Sequence, residues 1–377
     1  MGKSEILKTF LEMGYQLDSR SLELFSNNPK LYQNFIEKIK NKTFPSYITI
    51  DLIEKTINEG QEIRIKNEKK TEKKIFGIQQ IVKIFNQRYE KICRILQSRL
   101  ELVNVISINR VSEKTSLFSL IGIVKEVNKN NNSITIEDVT GETEIFMQDK
   151  ENMRFVVEDE VVGVICENIS GLVGKKIVFP DTSANRNVIF SKNESIVVFI
   201  NGFSVSFKTQ LKNWFANRPG KKFYIFIFSA DNIDQDILNE IFPTNSVKIL
   251  ISDKKEENVF DYLSVPAKII IDDLKISFAN SNILNKYGKL FCETDPASVL
   301  LQLLKKRHLD PIFSNTEIQD EDNLFLEDIP DILVSDHEYG SIANYKGTTL
   351  VSIGSFLNGE MISINLKNRE AIKVVLA

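Results

Sequence analysis

"SIVVFINGFSVSFKTQLKNWFANRPGKKFYIFIFS", residues 195–229, holds two nearly unbroken apolar runs with a helix-spaced segment between them. Strands covered on both faces read this way, and a helix joining two such strands is a parallel crossover. The pattern continues outward. "VKILIS" (247–252) and "AKIIIDD" (267–273) are further runs, and "DQDILNEIF" (234–242) is a further helix. "DPASVLLQLLKKRH" (295–308) predicts a helix with Asp295 as its N-cap and Pro296 at its first position. "GTTLVSIGSF" (347–356) and "MISINLKNREAIKVVLA" (361–377) return to strand. Residues 191–377 are therefore expected to form an α/β sandwich.

Upstream the hydrophobic period changes to two. "LFSLIGIVKEV" (117–127) predicts a strand and "SITIEDVTGETEIFM" (133–147) a hairpin turning at Thr140-Gly141. "DEVVGVICENI" (159–169) and "KKIVFPD" (175–181) add two strands, after a polar excursion at 148–153. Five short strands with that interruption suit a small barrel of the oligonucleotide/oligosaccharide-binding (OB) type. Its hairpin offers one aromatic, Phe146, among Glu137, Asp138, Glu142 and Glu144, which favours a structural barrel over one that grips single strands. Ile81, Ile84, Phe85, Tyr89, Ile92, Ile95 and Leu96 make an apolar stripe on a helix ahead of the barrel. Helix and barrel together take residues 76–190. Residues 59–75, "EGQEIRIKNEKKTEKKI", are lysine-rich and poor in apolar side chains, so they read as a charged flexible linker. Residues 1–58 read as a helical domain, with Ile6, Phe10, Tyr32, Phe35 and Ile39 at helical spacing. The fold class expected is a multi-domain α+β chain.

The chain of 377 residues is too long for one core, and its net charge of -3 argues against a free-standing nucleic-acid binder. Cys93, Cys166 and Cys292 form no CxxC pair and are expected as reduced core residues. "MGKSEILKTFLEMGY" is no signal peptide, and no apolar window reaches the roughly eighteen residues of a membrane span, so a cytoplasmic protein is expected.

One stretch looks like a metal site. "DILVSDHEYGS" (331–341) packs acids, a histidine and a tyrosine together, yet the chain has only two histidines, His308 and His337. "FNQRYEKICRIL" (85–96), the barrel hairpin, "LLKKRHLDPIF" (303–313) and "DIPDILVSDHEYGSIANYKGTTLVSIGSF" (328–356) resemble segments of the small, B-type subunits of archaeal family D DNA polymerases. That resemblance implies a helical N-terminal region, a barrel and a calcineurin-like phosphoesterase domain, which in the family has 3′–5′ exonuclease activity. It also implies where two metal ions would be held. The family's Gly-His-x-His motif falls on "SDHEYG", with His337 on the first histidine and Tyr339 on the second. Its Asp-x-His motif falls on "INGFSVSF", with Gly202 replacing the aspartate and Ser204 the histidine. "SADNIDQD" keeps Asp231 as the bridging carboxylate and Asp234 as a second acid. "LISDKKEE" (250–257) has no Asn-His pair, and "KISFANS" (275–281) has no histidine.

Two hard cations close together need several carboxylates and imidazoles. Asp231 and His337 do not suffice, so no metal, no cofactor and no catalytic residue of this chain's own are expected. Asp231 reads instead as a turn or helix-capping residue, His337 as a loop histidine with satisfied hydrogen bonds, and His308 as a packing residue. What the resemblance implies is then a non-catalytic subunit, with a catalytic large subunit as its partner, links to other replication proteins and DNA contact through the complex. An active exonuclease subunit and a single-strand-binding barrel protein are the alternatives.

Overall fold

A computed structural model describes residues 3–27, 29–39, 45–49, 52–53, 63–66, 78–112, 116–168, 171–228, 235–244, 246–251, 261–313 and 322–376. The chain divides into two compact units, Met1–Arg64 and Ile65–Ala377. The division falls inside the charged stretch 59–75, whose described residues, Ile63–Lys66, form a short strand. In the smaller unit α1 (Lys3–Glu12), α2 (Ser19–Asn27) and α3 (Pro29–Ile39) close on Ile6, Phe10, Phe25, Tyr32, Phe35 and Ile39. The Phe10 and Phe25 rings stack with centroids 5.5 Å apart. Helix α2 has too short an apolar stripe to stand out in the sequence; Asp18 starts it by accepting the Ser21 N–H at 2.6 Å.

The larger unit opens with α4 (Ile78–Gln97), which buries Ile84, Ile92 and Leu96 as its stripe dictates. The barrel strands are β1 (Leu117–Asn128), β2 (Ser133–Asp138), β3 (Gly141–Met147), β4 (Val161–Asn168) and β5 (Leu172–Val178). They close in the order β1-β2-β3-β5-β4. A helical turn, α5 (Lys150–Met153), fills the polar excursion between β3 and β4, and Asp149 caps it. The hairpin turns where expected. Asp138 Oδ1 accepts the backbone N–H groups of Thr140 and Gly141, a local bonding pattern typical of Asx turns.

The sandwich follows, with β6 (Ser195–Asn201), α6 (Lys208–Ala216), β7 (Lys222–Phe228), α7 (Gln235–Ile241), β8 (Val247–Ile251) and β9 (Asp261–Leu263). Next come β10 (Ala267–Ile271), β11 (Leu274–Ala279), α8 (Ser281–Phe291), α9 (Pro296–Lys306) and β12 (Ile332–Asp336). The last strands are β13 (Ser341–Tyr345), β14 (Thr348–Ile353), β15 (Glu360–Asn365) and β16 (Ala371–Val375). One sheet runs β9-β8-β7-β6-β15-β16 and the other includes β13-β14-β12-β11-β10.

Alternation within β6 and β7 sets the layers. Ile196, Val198, Ile200, Phe223, Ile225 and Ile227 face Leu211 and Phe215 of α6 and Leu238 and Ile241 of α7. The intervening Phe199 and Phe226 meet Phe278 of the second sheet, with ring centroids 6.3 and 5.2 Å away. Both faces of these strands are therefore covered, which is why the runs lack polar residues. Helices α8 and α9 cover the second sheet's outer face. On their other side the same core continues into the barrel through Phe118, Val164 and Phe155. The Phe155 and Phe291 rings meet edge to face at 5.5 Å. Asp295 caps α9 as expected, accepting the Ser298 N–H at 3.1 Å, with Pro296 behind it. Cys166 is buried, but Cys292 is exposed, against the expectation of a core thiol. It occupies the left-handed residue that ends α8, at φ 53°, which turns it out of the core. No described helix is long and apolar enough to cross a membrane.

Candidate functional site

Parallel strands of both sheets end on the same edge of the sandwich. These are β6, β7, β8 and β9 in one sheet and β11, β12 and β14 in the other. Loops after such strand ends are where an α/β fold places its ligands. Asn201, the last residue of β6, ties the two sheets together there. Its side-chain amide donates to the His337 carbonyl at 3.1 Å and to the Ile353 carbonyl at 3.5 Å. The His337 N–H also donates to Ile353 O, at 2.9 Å. Gly202 and His337 thus come to one edge, with Ser204 and Tyr339 two residues beyond each.

The chemistry at these positions is poor. Gly202 has φ +76° and nothing within 4 Å of where a Cβ would stand, so the position has room but no carboxylate. The Ser204 hydroxyl accepts the Ser206 N–H at 3.3 Å and starts a short 3-10 turn. His337 Nδ1 accepts the Tyr339 N–H at 3.3 Å, and the Tyr339 ring lies exposed, 6.0 Å from the imidazole. After β11, where the family places a histidine, Asn280 caps α8 by accepting the Asn282 N–H at 2.8 Å. Asp231 and Asp234 lie outside the described residues, as does the loop 252–260. Among the described residues no three His, Cys, Asp or Glu side chains gather as a metal site.

One acid near this edge escaped the sequence reading. The Glu360 carboxylate lies against Gly340 and Gly354, and a Cβ at Gly354 would collide with it. It is held by Lys373 at 2.9 Å. No motif marks it, because it sits at the start of a strand on an unremarkable spacing. The residues described at this edge therefore do not fit a pair of divalent cations. They offer one imidazole already accepting a hydrogen bond, a phenol, a serine engaged as a cap, the Glu360 carboxylate neutralised by lysine, and Asp336 and Glu338, which do not gather with the others into a metal-holding group.

His308 does more than pack. It is buried, its Nδ1 accepts the Asp310 N–H at 3.1 Å, and its Nε2 hydrogen faces Asp322 Oδ1 at 2.9 Å. Asp322 also receives Arg88 Nε of α4 at 2.7 Å, while Arg88 Nη1 donates to Pro311 O at 2.7 Å. Burial, and then the neighbouring Arg88 charge, push the His308 pKa below its ordinary value of 6.5. A second buried pair joins barrel to sandwich. Lys306 Nζ lies 2.6 Å from Glu160 Oε2, with the two side chains 1% and 3% exposed. Neither network reaches the strand edge, and neither contains a reactive group open to a substrate.

The chain matches no protein-family model. Among curated proteins it is 25% identical to the DNA polymerase II small subunit of Archaeoglobus fulgidus, covering 92% of this chain and 90% of that one. It is 24% identical to the protein of that name from Methanothermobacter thermautotrophicus, over 73% of this chain and 72% of the relative. It is 22% identical to the one from Thermoplasma acidophilum, over 73% and 70%. Solved structures overlap it loosely. A Vps29 single mutant from Entamoeba histolytica is 12% identical with a TM-score of 0.27, covering 48% of this chain and 98% of its own. Protein TT1561 of Thermus thermophilus is 10% identical with a TM-score of 0.28, covering 49% and 100%. Overlaps this loose carry no functional argument. Over most of its length, the chain resembles the DNA polymerase II small subunits, the small subunits of the archaeal family D polymerase.

Proposed function

We propose that this chain is the non-catalytic small subunit of a family D-type DNA polymerase, holding and stabilising a catalytic large subunit during replication. The observation that carries the reading is likeness along nearly the whole chain to proteins of that name, joined to a strand edge bearing Gly202, Ser204 and Tyr339 where ligands are expected. A subunit that lacks its own chemistry acts through contacts. The sandwich is then a phosphoesterase-like domain that has lost its metals and serves as a scaffold. Strand order β1-β2-β3-β5-β4, with a helical turn after the third strand, supports an OB-type reading of the barrel. Its outer face pairs Glu137 with Glu142 and Thr135 with Glu144, which disfavours a phosphate groove there. The domain limits follow as 1–58, a linker at 59–75, helix and barrel at 76–190 and the sandwich at 191–377. Other replication proteins would join through the same complex, in the cytoplasm at the nucleoid.

The loss of chemistry is directly testable. Purified protein incubated with manganese and end-labelled single-stranded DNA is expected to show no 3′–5′ degradation above a buffer control. Robust degradation that disappears in Asp231→Ala would overturn the non-catalytic reading and establish the active exonuclease alternative.

A further inference from the structure

The chain is acidic overall, yet five cations gather where the barrel meets the sandwich. Arg99 follows α4, Lys176 lies on β5, Lys305 and Arg307 end α9, and Lys346 sits in the β13–β14 turn. Two carboxylates hold them together. Glu101 lies 3.0 Å from Arg99 and 3.7 Å from Lys176. Asp181 lies 2.6 Å from Lys346 and 3.9 Å from Arg99, and it also accepts the Tyr345 hydroxyl at 2.9 Å. Five cations against two shared anions leave an excess of three. Glu327 and Asp328 stand near Arg307, but each is paired with a lysine of its own, Lys91 at 3.2 Å and Lys275 at 3.0 Å.

Two of the five have no carboxylate partner among the described residues. Lys305 Nζ rests over the Tyr345 ring, 5.5 Å from its centroid. Arg307 gives one hydrogen bond, to Glu327 O at 3.2 Å, and its Nε is buried with no acceptor. The frame is rigid. Arg307 is the left-handed residue that ends α9, at φ 59°. Lys346 and Gly347 form a tight turn, at φ 44° and 80°. The Asp181 N–H is fixed to Lys305 O at 2.7 Å.

We propose that this junction grips the phosphate backbone of DNA. Excess positive charge on a fixed frame binds a polyanion without reading sequence, and binding releases counterions in proportion to the phosphates contacted. The acidic outer face of the barrel would turn the strand away from the hairpin and toward this junction. The inference rests on the polymerase-subunit reading only in choosing DNA as the polyanion.

Fluorescence anisotropy of the full chain, with a labelled single strand and a duplex of equal length, tests it across a salt series. Three phosphate contacts predict a slope of log affinity on log salt of about -2 for single strands and about -2.7 for duplex, and the arm with tighter binding identifies the form preferred. Lys176→Ala with Lys305→Ala should lower the single-strand slope by about 1.4. Lys83→Ala with Arg94→Ala, on the exposed face of α4, should leave it unchanged. The proposal is overturned if binding is absent or insensitive to salt, or if the junction variant keeps the full slope. It is equally overturned if polyglutamate of matched charge competes as well as DNA, which would make an acidic protein the occupant. A junction variant that loses DNA but still co-elutes with the large subunit supports this assignment and leaves the subunit reading intact.

Discussion

Replacing Lys306 by methionine should lower the unfolding free energy by about 3–5 kcal/mol, although it removes one nitrogen from a residue that touches no substrate. The reason is what stays behind. Glu160 is buried, and desolvation already raises its pKa, with Lys306 and the Val157 N–H at 2.8 Å opposing that rise. Without the ammonium the carboxylate must be buried unpaired or bind a proton. Lys306 also lies over the Phe179 ring at 4.3 Å, a contact methionine largely keeps, so lost packing contributes little. The double variant Glu160→Gln with Lys306→Met should recover most of the loss, because no lone charge remains. Urea denaturation of the wild type, both single variants and the double variant measures it. Because Glu160 belongs to the barrel side and Lys306 ends α9, both should unfold in one transition. A Lys306→Met loss within about 1 kcal/mol, or separate transitions for barrel and sandwich, would contradict this account of the joint.

Asp322→Asn should cost a similar amount, about 3–5 kcal/mol, by leaving the Arg88 guanidinium buried without its counter-charge. The same cluster gives the protein a pH dependence whose sign is fixed. The His308 pKa is depressed by burial, so its contribution is complete above the ordinary value of 6.5 and is lost as pH falls through the lower folded value. The Asp322 pKa is also depressed, because His308 and Arg88 together outweigh its burial. Its share persists above the ordinary value of 3.8 and is lost only at still lower pH. Unfolding free energy should therefore begin to fall below about pH 6.5, well before carboxylates titrate. His308→Gln should remove that first decline while lowering stability at neutral pH. An unchanged acid profile in His308→Gln would show that the ring is not the titrating group.

Much of the fold could be read in advance because burial on two faces leaves an unmistakable record. The runs 195–201 and 222–228 have no polar interruption, and they lie between α6 and α7 on one side and Phe278 on the other. Strand pairing left no such record. Nothing in "MISINL" says that β15 runs antiparallel beside β6 and separates it from β16, since pairing depends on neighbours remote in sequence. The strand edge was half legible. The resemblance to the family points to His337 and Gly202, whereas Asn201 and Glu360 act through contacts with no local signature. The Lys306–Glu160 pair spans 146 positions, and Asp322 lies in a polar stretch that reads as ordinary loop. A long-range ion pair becomes visible only when the chain has been folded around it.

The central claim is that this chain works as one half of a polymerase. Co-expression with the large subunit from the same organism, followed by gel filtration at low salt, tests it most directly. The account predicts a one-to-one complex, higher solubility than either protein alone, and co-elution that survives at high salt, because a permanent interface is apolar at its centre. Two proteins that elute apart at low salt would contradict it and leave the likeness to the small subunits as one of ancestry and not of role.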